Sequence, residues 1–178
     1  MSEGIDLPYV ARGTVLPEDE RVARIEYAAP QILAAVAGEH DPIVLQSTLA
    51  SLLWDTLPQA SWVGFYRRTG KRRLSVGPYQ GPMGCLHIDF DRGVCGACAR
   101  LVTVQLVPDV REFPGHIACD DATLSELVLP VFGRETVQAV LDLDARSLDA
   151  FSAAEAVRLE KLLADVFGAH VRWPDLDH

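Results

Sequence analysis

Four cysteines and two closely spaced aspartates are the residues of this 178-residue chain best suited to chemistry. The cysteines are Cys85, Cys95, Cys98 and Cys119. A tetrahedral zinc site usually draws its sulfurs from two short-spaced pairs. Here only Cys95-x-x-Cys98 is close-spaced, so no metal is expected on sulfur alone. A dithiol redox site between a strand and a long helix also fits poorly, because the neighbouring strands read as antiparallel. Cys98 lies one turn after Cys95 in an Ala-rich stretch, the usual place for a small buried thiol. Cys119 stands in Phe113-Pro114-Gly115-His116-Ile117-Ala118-Cys119-Asp120, a turn-rich segment with an imidazole nearby. A free thiol of pKa ~8.5 is only a few per cent thiolate at neutral pH, and backbone N–H groups or a cationic neighbour lower that value. Cys119 is therefore either a reactive thiolate or a small apolar side chain tucked beneath a loop.

Asp142 and Asp144 alternate with Leu141 and Leu143, so both carboxylates share one face of a strand. Two like charges on an apolar strand cost free energy unless that face meets solvent, a cation or hydrogen-bond donors. Trp62, Gly64 and Tyr66 share a strand face in the same way. Gly64 between two large rings is expected to leave space above the sheet for a ligand. An acidic wall and an aromatic wall together suit a ligand with an ammonium group, an apolar part and an atom that a thiolate can attack.

The elements that must position these residues follow from pattern. Glu18 to about Gly38 is helical in composition, and Pro30 is expected to kink or divide the helix. Asp41-Pro42 supplies an N-cap with Pro at the first helical position, opening a helix that carries Leu45, Leu49, Leu52 and Leu53. Strands are expected over 61–66, 72–76 and 86–90, the first two forming a hairpin across Thr69-Gly70-Lys71. A short helix over 94–101 precedes a short strand within 102–107. Two longer strands follow at 127–132 and 137–145. Ser152-x-x-Glu155 begins the last helix as a capping box, and Gly168 should stop it. Helices at both ends of an antiparallel sheet make an α+β fold. Residues 1–16 read as an irregular N-terminal segment and 17–172 as a single domain.

The net charge is −9 and apolar residues make up 49% of the chain. There is no surplus of Lys and Arg to displace phosphate counterions, which argues against nucleic acid and anionic membranes. The N-terminus lacks the basic and apolar regions of a signal peptide, and no apolar run reaches the ~20 residues that span a bilayer. A cytoplasmic protein is expected, and in that compartment cysteines rarely form structural disulfides.

Six blocks then give a resemblance. Trp62-Val63-Gly64-Phe65-Tyr66, Gly77-Pro78-Tyr79-Gln80-Gly81, Arg92-Gly93-Val94-Cys95-Gly96, Gly115-His116-Ile117-Ala118-Cys119-Asp120, Ser125-Glu126-Leu127-Val128-Leu129-Pro130 and Leu141-Asp142-Leu143-Asp144 run in order through the chain. Together they resemble the free methionine-(R)-sulfoxide reductases, enzymes of the GAF fold. The resemblance implies a GAF-like antiparallel sheet flanked by the N- and C-terminal helices. It implies reduction of free methionine sulfoxide by Cys119 as nucleophile, with Cys85 as resolving thiol and Cys95 as a second one. Glu126, Asp142 and Asp144 match the family's substrate-binding acids, and Trp62 and Tyr66 match its aromatic wall. Cys98 lies outside the pattern. No cofactor is implied beyond an external reductant such as thioredoxin, and helices flanking such a sheet commonly support a homodimer. The alternatives of another class are a non-catalytic GAF-type ligand sensor and a zinc-bound structural protein.

Overall fold

The computed structural model describes residues 5–116, 120–133 and 135–174. Its centre is one antiparallel sheet in the order β3-β2-β1-β6-β5-β4. The strands are β1 (Ala60–Gly70), β2 (Arg73–Gln80), β3 (His87–Asp89), β4 (Gln105–Val107), β5 (Ser125–Gly133) and β6 (Thr136–Ala145). The helices are α1 (Glu18–Ala35), α2 (Pro42–Thr56), α3 (Gly93–Leu101) and α4 (Ala153–Val166). A single 3₁₀ turn, Val110–Glu112, interrupts the segment between β4 and β5. Among the described residues no helix is long and apolar enough to cross a membrane.

Strand alternation divides the core in two. Val63, Phe65, Leu127, Leu129, Leu141 and Leu143 turn to one face and pack with α1, α2 and α4. Trp62, Tyr66, Val128 and Val140 turn to the other face and pack with α3, Ile88 and Phe90. The three central strands are thus buried on both sides, which is why β5 reads as an almost unbroken apolar run. Pro130 is tolerated inside it because β4 pairs only with Glu126–Val128, leaving β5 locally an edge at Pro130.

Several local expectations are met by identifiable contacts. Asp41 accepts hydrogen bonds from the Ile43 and Val44 amides and so caps α2. Ser152 and Glu155 form the reciprocal capping box of α4. Glu155 also accepts from Arg21 Nε at 3.0 Å and from Gln59 Nε2 at 2.9 Å, tying α1 and the start of β1 to α4. Residues 5–17 form no helix or strand. They are held by Arg12, which donates to the Leu57 and Trp54 carbonyls and lies 3.8 Å over the Trp54 ring.

Other expectations require correction. Pro30 does not divide α1, which runs unbroken from Glu18 to Ala35. Pro30 lies on the exposed side of the helix, where water can satisfy the carbonyl one turn earlier. The second strand does not stop at Val76 but continues to Gln80, because a register shift opposite Gly64–Tyr66 absorbs Gly77 and Pro78. Gly168 follows the C-cap residue Phe167 of α4, at the expected end of the helix, but it keeps a negative φ instead of the left-handed one usual for a terminating glycine.

Candidate active site

The register of β1, β6 and β5 builds one wall of a pocket. Trp62 faces Asp144 across the sheet, and Asp144 in turn faces Glu126, so an indole and two acids form a single transverse row. The next row on the same face is Gly64, Asp142 and Val128, and the third is Tyr66, Val140 and Pro130. The shared face expected for Asp142 and Asp144 is therefore present, but it does not point to solvent. Asp142 is 5% exposed and Glu126 6% exposed, while Asp144 is half-buried. About 500 Å³ of atom-free space, partly open to solvent, lies above this wall.

The aromatic wall differs from the expectation in one respect. The space over Gly64 is not left for a ligand. A Cβ placed there would lie 2.3 Å from the Tyr79 Cβ and 2.6 Å from the Trp62 ring. Gly64 instead lets the indole of Trp62 fold flat across the strand. Trp62 stacks on Tyr66 with centroids 5.5 Å apart and on Tyr79 at 5.1 Å. Its Nε1 donates to the Pro82 carbonyl at 3.0 Å, which anchors the segment after β2 over the pocket. The rings thereby form a rigid side to the cavity, with Met83 and Gly84 completing it.

Cys95 enters from the first turn of α3. Gly93, with φ of 66°, provides the left-handed backbone that brings the helix start down onto the sheet. The close approach also requires Gly96, whose Cβ would stand 2.5 Å from the Asp89 carbonyl oxygen. Cys95 Sγ then lies 4.0 Å from Glu126 Oε1, and Cys95, Glu126 and Asp142 present ligand atoms all within 4.8 Å of one another. Cys98 is fully buried, points to the Val128 carbonyl at 3.7 Å and packs in the core, as its position in the sequence suggested. Cys95 and Cys98 are free thiols, whereas Cys85 is disulfide-bonded and half-buried. Cys119 lies outside the described residues.

Burial dominates the electrostatics. It pushes the carboxyls of Glu126 and Asp144 well above the ordinary carboxylate range, and the charge of Asp142 adds to both shifts. Asp142 itself is raised by burial to about 6, partly offset by the adjacent Cys95 and Glu126 and by the Leu143 backbone N–H. The Cys95 thiol is driven up by burial and by the facing acids, so it is held as a neutral thiol. Tyr66 is shifted upward for the same reasons. No Lys or Arg lines the cavity among the described residues. Asp120, at its mouth, is paired instead with Arg146 at 2.8 Å, which lowers its pKa.

Trp62, Tyr66, Cys95, Glu126, Asp142 and Asp144 therefore meet in one cavity. Sequence reasoning did not assign a role to His116, Tyr79 or the Pro82–Gly84 turn. His116 Nε2 sits 3.8 Å from Glu126 Oε2, and desolvation lowers its pKa. Tyr79 lay within a block that carried the resemblance, but its stacking on Trp62 depends on the β1–β2 register.

No protein-family model matches the chain, but individual relatives do. The chain is 36% identical over 133 residues to the free methionine-R-sulfoxide reductase of Escherichia coli, covering 75% of this chain and 80% of that protein. It is 37% identical over 123 residues to the enzyme of the same name from Saccharomyces cerevisiae, covering 65% and 68%. Among solved structures, the free methionine-R-sulfoxide reductase of Neisseria meningitidis in complex with its substrate superposes with a TM-score of 0.79 at 32% identity, covering 89% of this chain and 93% of that one. A structure described as a GAF domain gives 0.77 at 30% identity, covering 86% and 96%. Three acids on two adjacent central strands, an aromatic stack and a thiol above them occur here on a sheet shared with those proteins, and the chain belongs to the free methionine-R-sulfoxide reductase family, with the GAF fold.

Proposed function

We propose that this oxidoreductase reduces free L-methionine (R)-S-oxide to L-methionine. The observation that carries the proposal is the three-acid wall, largely buried beside an aromatic stack, with no Lys or Arg lining the cavity among the described residues. Such a wall is costly without a cationic ligand. A free amino acid brings one ammonium group, and Asp142, the acid that ionises at about 6, is its partner at neutral pH. Glu126 and Asp144 hold their protons more tightly than ordinary carboxyls, because burial and the charge of Asp142 raise both well above the usual range. They are the groups able to donate a proton to the sulfoxide oxygen. The stacked rings meet the methyl and sulfur of the substrate, each contact contributing ~0.3–1.5 kcal/mol.

The chemistry then runs through sulfur. The Cys119 thiolate attacks the sulfoxide sulfur, the oxygen takes a proton, and methionine departs to leave a sulfenic acid on Cys119. The Cys85 thiol condenses with that sulfenic acid, forming a disulfide and releasing water. A dithiol such as thioredoxin reduces the disulfide by exchange, becoming oxidised itself. Cys95 is poorly suited to an early step, since burial holds its proton on. The cytoplasm, with its thiol reductants, is the compartment this cycle needs.

The test is incubation of purified protein with racemic free methionine sulfoxide and a thiol reductant, following each epimer. Loss of the R epimer alone is expected, with little turnover of methionine sulfoxide inside a peptide, which carries no adjacent ammonium. Cys119→Ser should abolish turnover, while Cys85→Ser should permit a first turnover and impair recycling. Equal rates on free and peptide-bound substrate would remove the role given to the acids. Binding without turnover would leave a ligand-sensing module.

A further inference from the structure

We infer that Cys95, Glu126, Asp142 and His116 form a site for a borderline-soft divalent cation, Zn²⁺ above all, which blocks the acidic wall when it binds. The first three residues converge from three elements, α3, β5 and β6, with ligand atoms within 4.8 Å of one another and all three side chains buried. His116 adds an imidazole nitrogen 3.8 Å from the second oxygen of Glu126. A second observation points to a ligand at this place: Asp142 Oδ1 is buried, belongs to the cavity wall and has no hydrogen-bond partner among the described residues.

The separations are informative. Cys95 Sγ to Glu126 Oε1 is 4.0 Å and His116 Nε2 to Glu126 Oε2 is 3.8 Å, at or beyond the limit of useful hydrogen bonds. Zinc bonds of about 2.0–2.3 Å place neighbouring ligand atoms roughly 3.3–3.6 Å apart in a tetrahedron. Small inward rotations of Cys95, Glu126 and Asp142 would close that trio to this geometry, with His116 approaching from the side of the second Glu126 oxygen. One sulfur, one nitrogen and carboxylate oxygens select zinc over magnesium or calcium, which take oxygen. On binding, the Cys95 thiol releases its proton to solvent. This donor set differs from a four-sulfur zinc site, because a single cysteine is joined by acids from the sheet. An ion held there occupies the place of any ligand ammonium, so metal and amino acid exclude each other.

The full-length, reduced protein is titrated with Zn²⁺ against a chromophoric chelator. It is titrated separately with Co²⁺ as a spectroscopic stand-in, whose thiolate charge-transfer band reports sulfur ligation. One ion per chain and a charge-transfer band are expected. Cys95→Ser should abolish the band and weaken Zn²⁺ binding by about tenfold or more, and Glu126→Gln should weaken it comparably without removing a sulfur. Cys98→Ser should leave both signals in place. Retention of the band in Cys95→Ser, or unchanged Zn²⁺ affinity in Glu126→Gln, would overturn the assignment. Inhibition of turnover that is not competitive with the sulfoxide would overturn the overlap with the acidic wall.

Discussion

Replacing Asp142 by Asn should make the protein more stable and less able to bind its substrate. Asp142 is 5% exposed, and burial raises its carboxyl from an ordinary 3.8 to about 6. Because the folded state holds the proton more tightly than the unfolded chain, ionisation opposes folding. The opposition begins as the pH climbs above about 4 and is complete once it passes about 6. Moving a carboxyl over that range corresponds to roughly 3 kcal/mol. Asn carries no charge, so at pH 7.5 Asp142→Asn regains up to that amount. For a chain of this size the gain corresponds to a rise in Tm of several degrees, with about 10 °C as the ceiling. As the pH falls toward 4 the difference should vanish, because aspartic acid and asparagine are then equally uncharged. Thermal unfolding of the reduced protein at pH 4.5 and 7.5, beside a KM measurement for free methionine sulfoxide, reads both effects. A variant no more stable than the parent at pH 7.5, or stabilised equally at both pH values, would refute the reasoning.

Two further substitutions test other parts of the structure. Gly64→Ala drives a methyl group into Tyr79 and the Trp62 indole, which should cost about 1–3 kcal/mol, alter tryptophan fluorescence and raise KM. Urea unfolding beside substrate titration would show it. Arg21→Ala leaves Glu155 buried with its charge uncompensated, and should lower stability in urea unfolding by about 3–5 kcal/mol. Arg21→Ala combined with Glu155→Gln should recover part of that loss.

The sequence made the elements legible wherever one local rule decided them. Asp41-Pro42 and Ser152-x-x-Glu155 are helix starts whose caps form within three residues, and the hairpin over Gly70 follows from short-range turn chemistry. The common face of Asp142 and Asp144 follows from strand alternation alone. Its burial does not, because that depends on α3 closing over β5 and β6, which strand alternation says nothing about. The fate of the space over Gly64 likewise depends on tertiary register. A small residue between two rings can admit a ligand or admit the rings themselves, and only the Tyr79 register distinguishes the two. Pro30 predicts a kink or a division and the pattern ends the second strand at Val76, yet solvent exposure accommodates the proline and a bulge carries the strand on to Gln80. The grouping of Cys95 with Glu126 and His116 joins residues from α3, β5 and the segment before it, and no spacing rule anticipates it.

The transverse row from Trp62 through Asp144 to Glu126 belongs to the strands with partners on both sides, whereas Cys85 lies between β2 and the edge strand β3. On the proposed function, recognition is therefore written into the part of the molecule that opens last, and the resolving thiol Cys85 into its margin. Amide exchange should be slowest along β1, β6 and β5 and should stay so when the oxidation state changes, with the response confined to the outer segments. A lineage could rearrange its thiols without disturbing the acids, but altering the acids' spacing would mean re-registering the whole sheet.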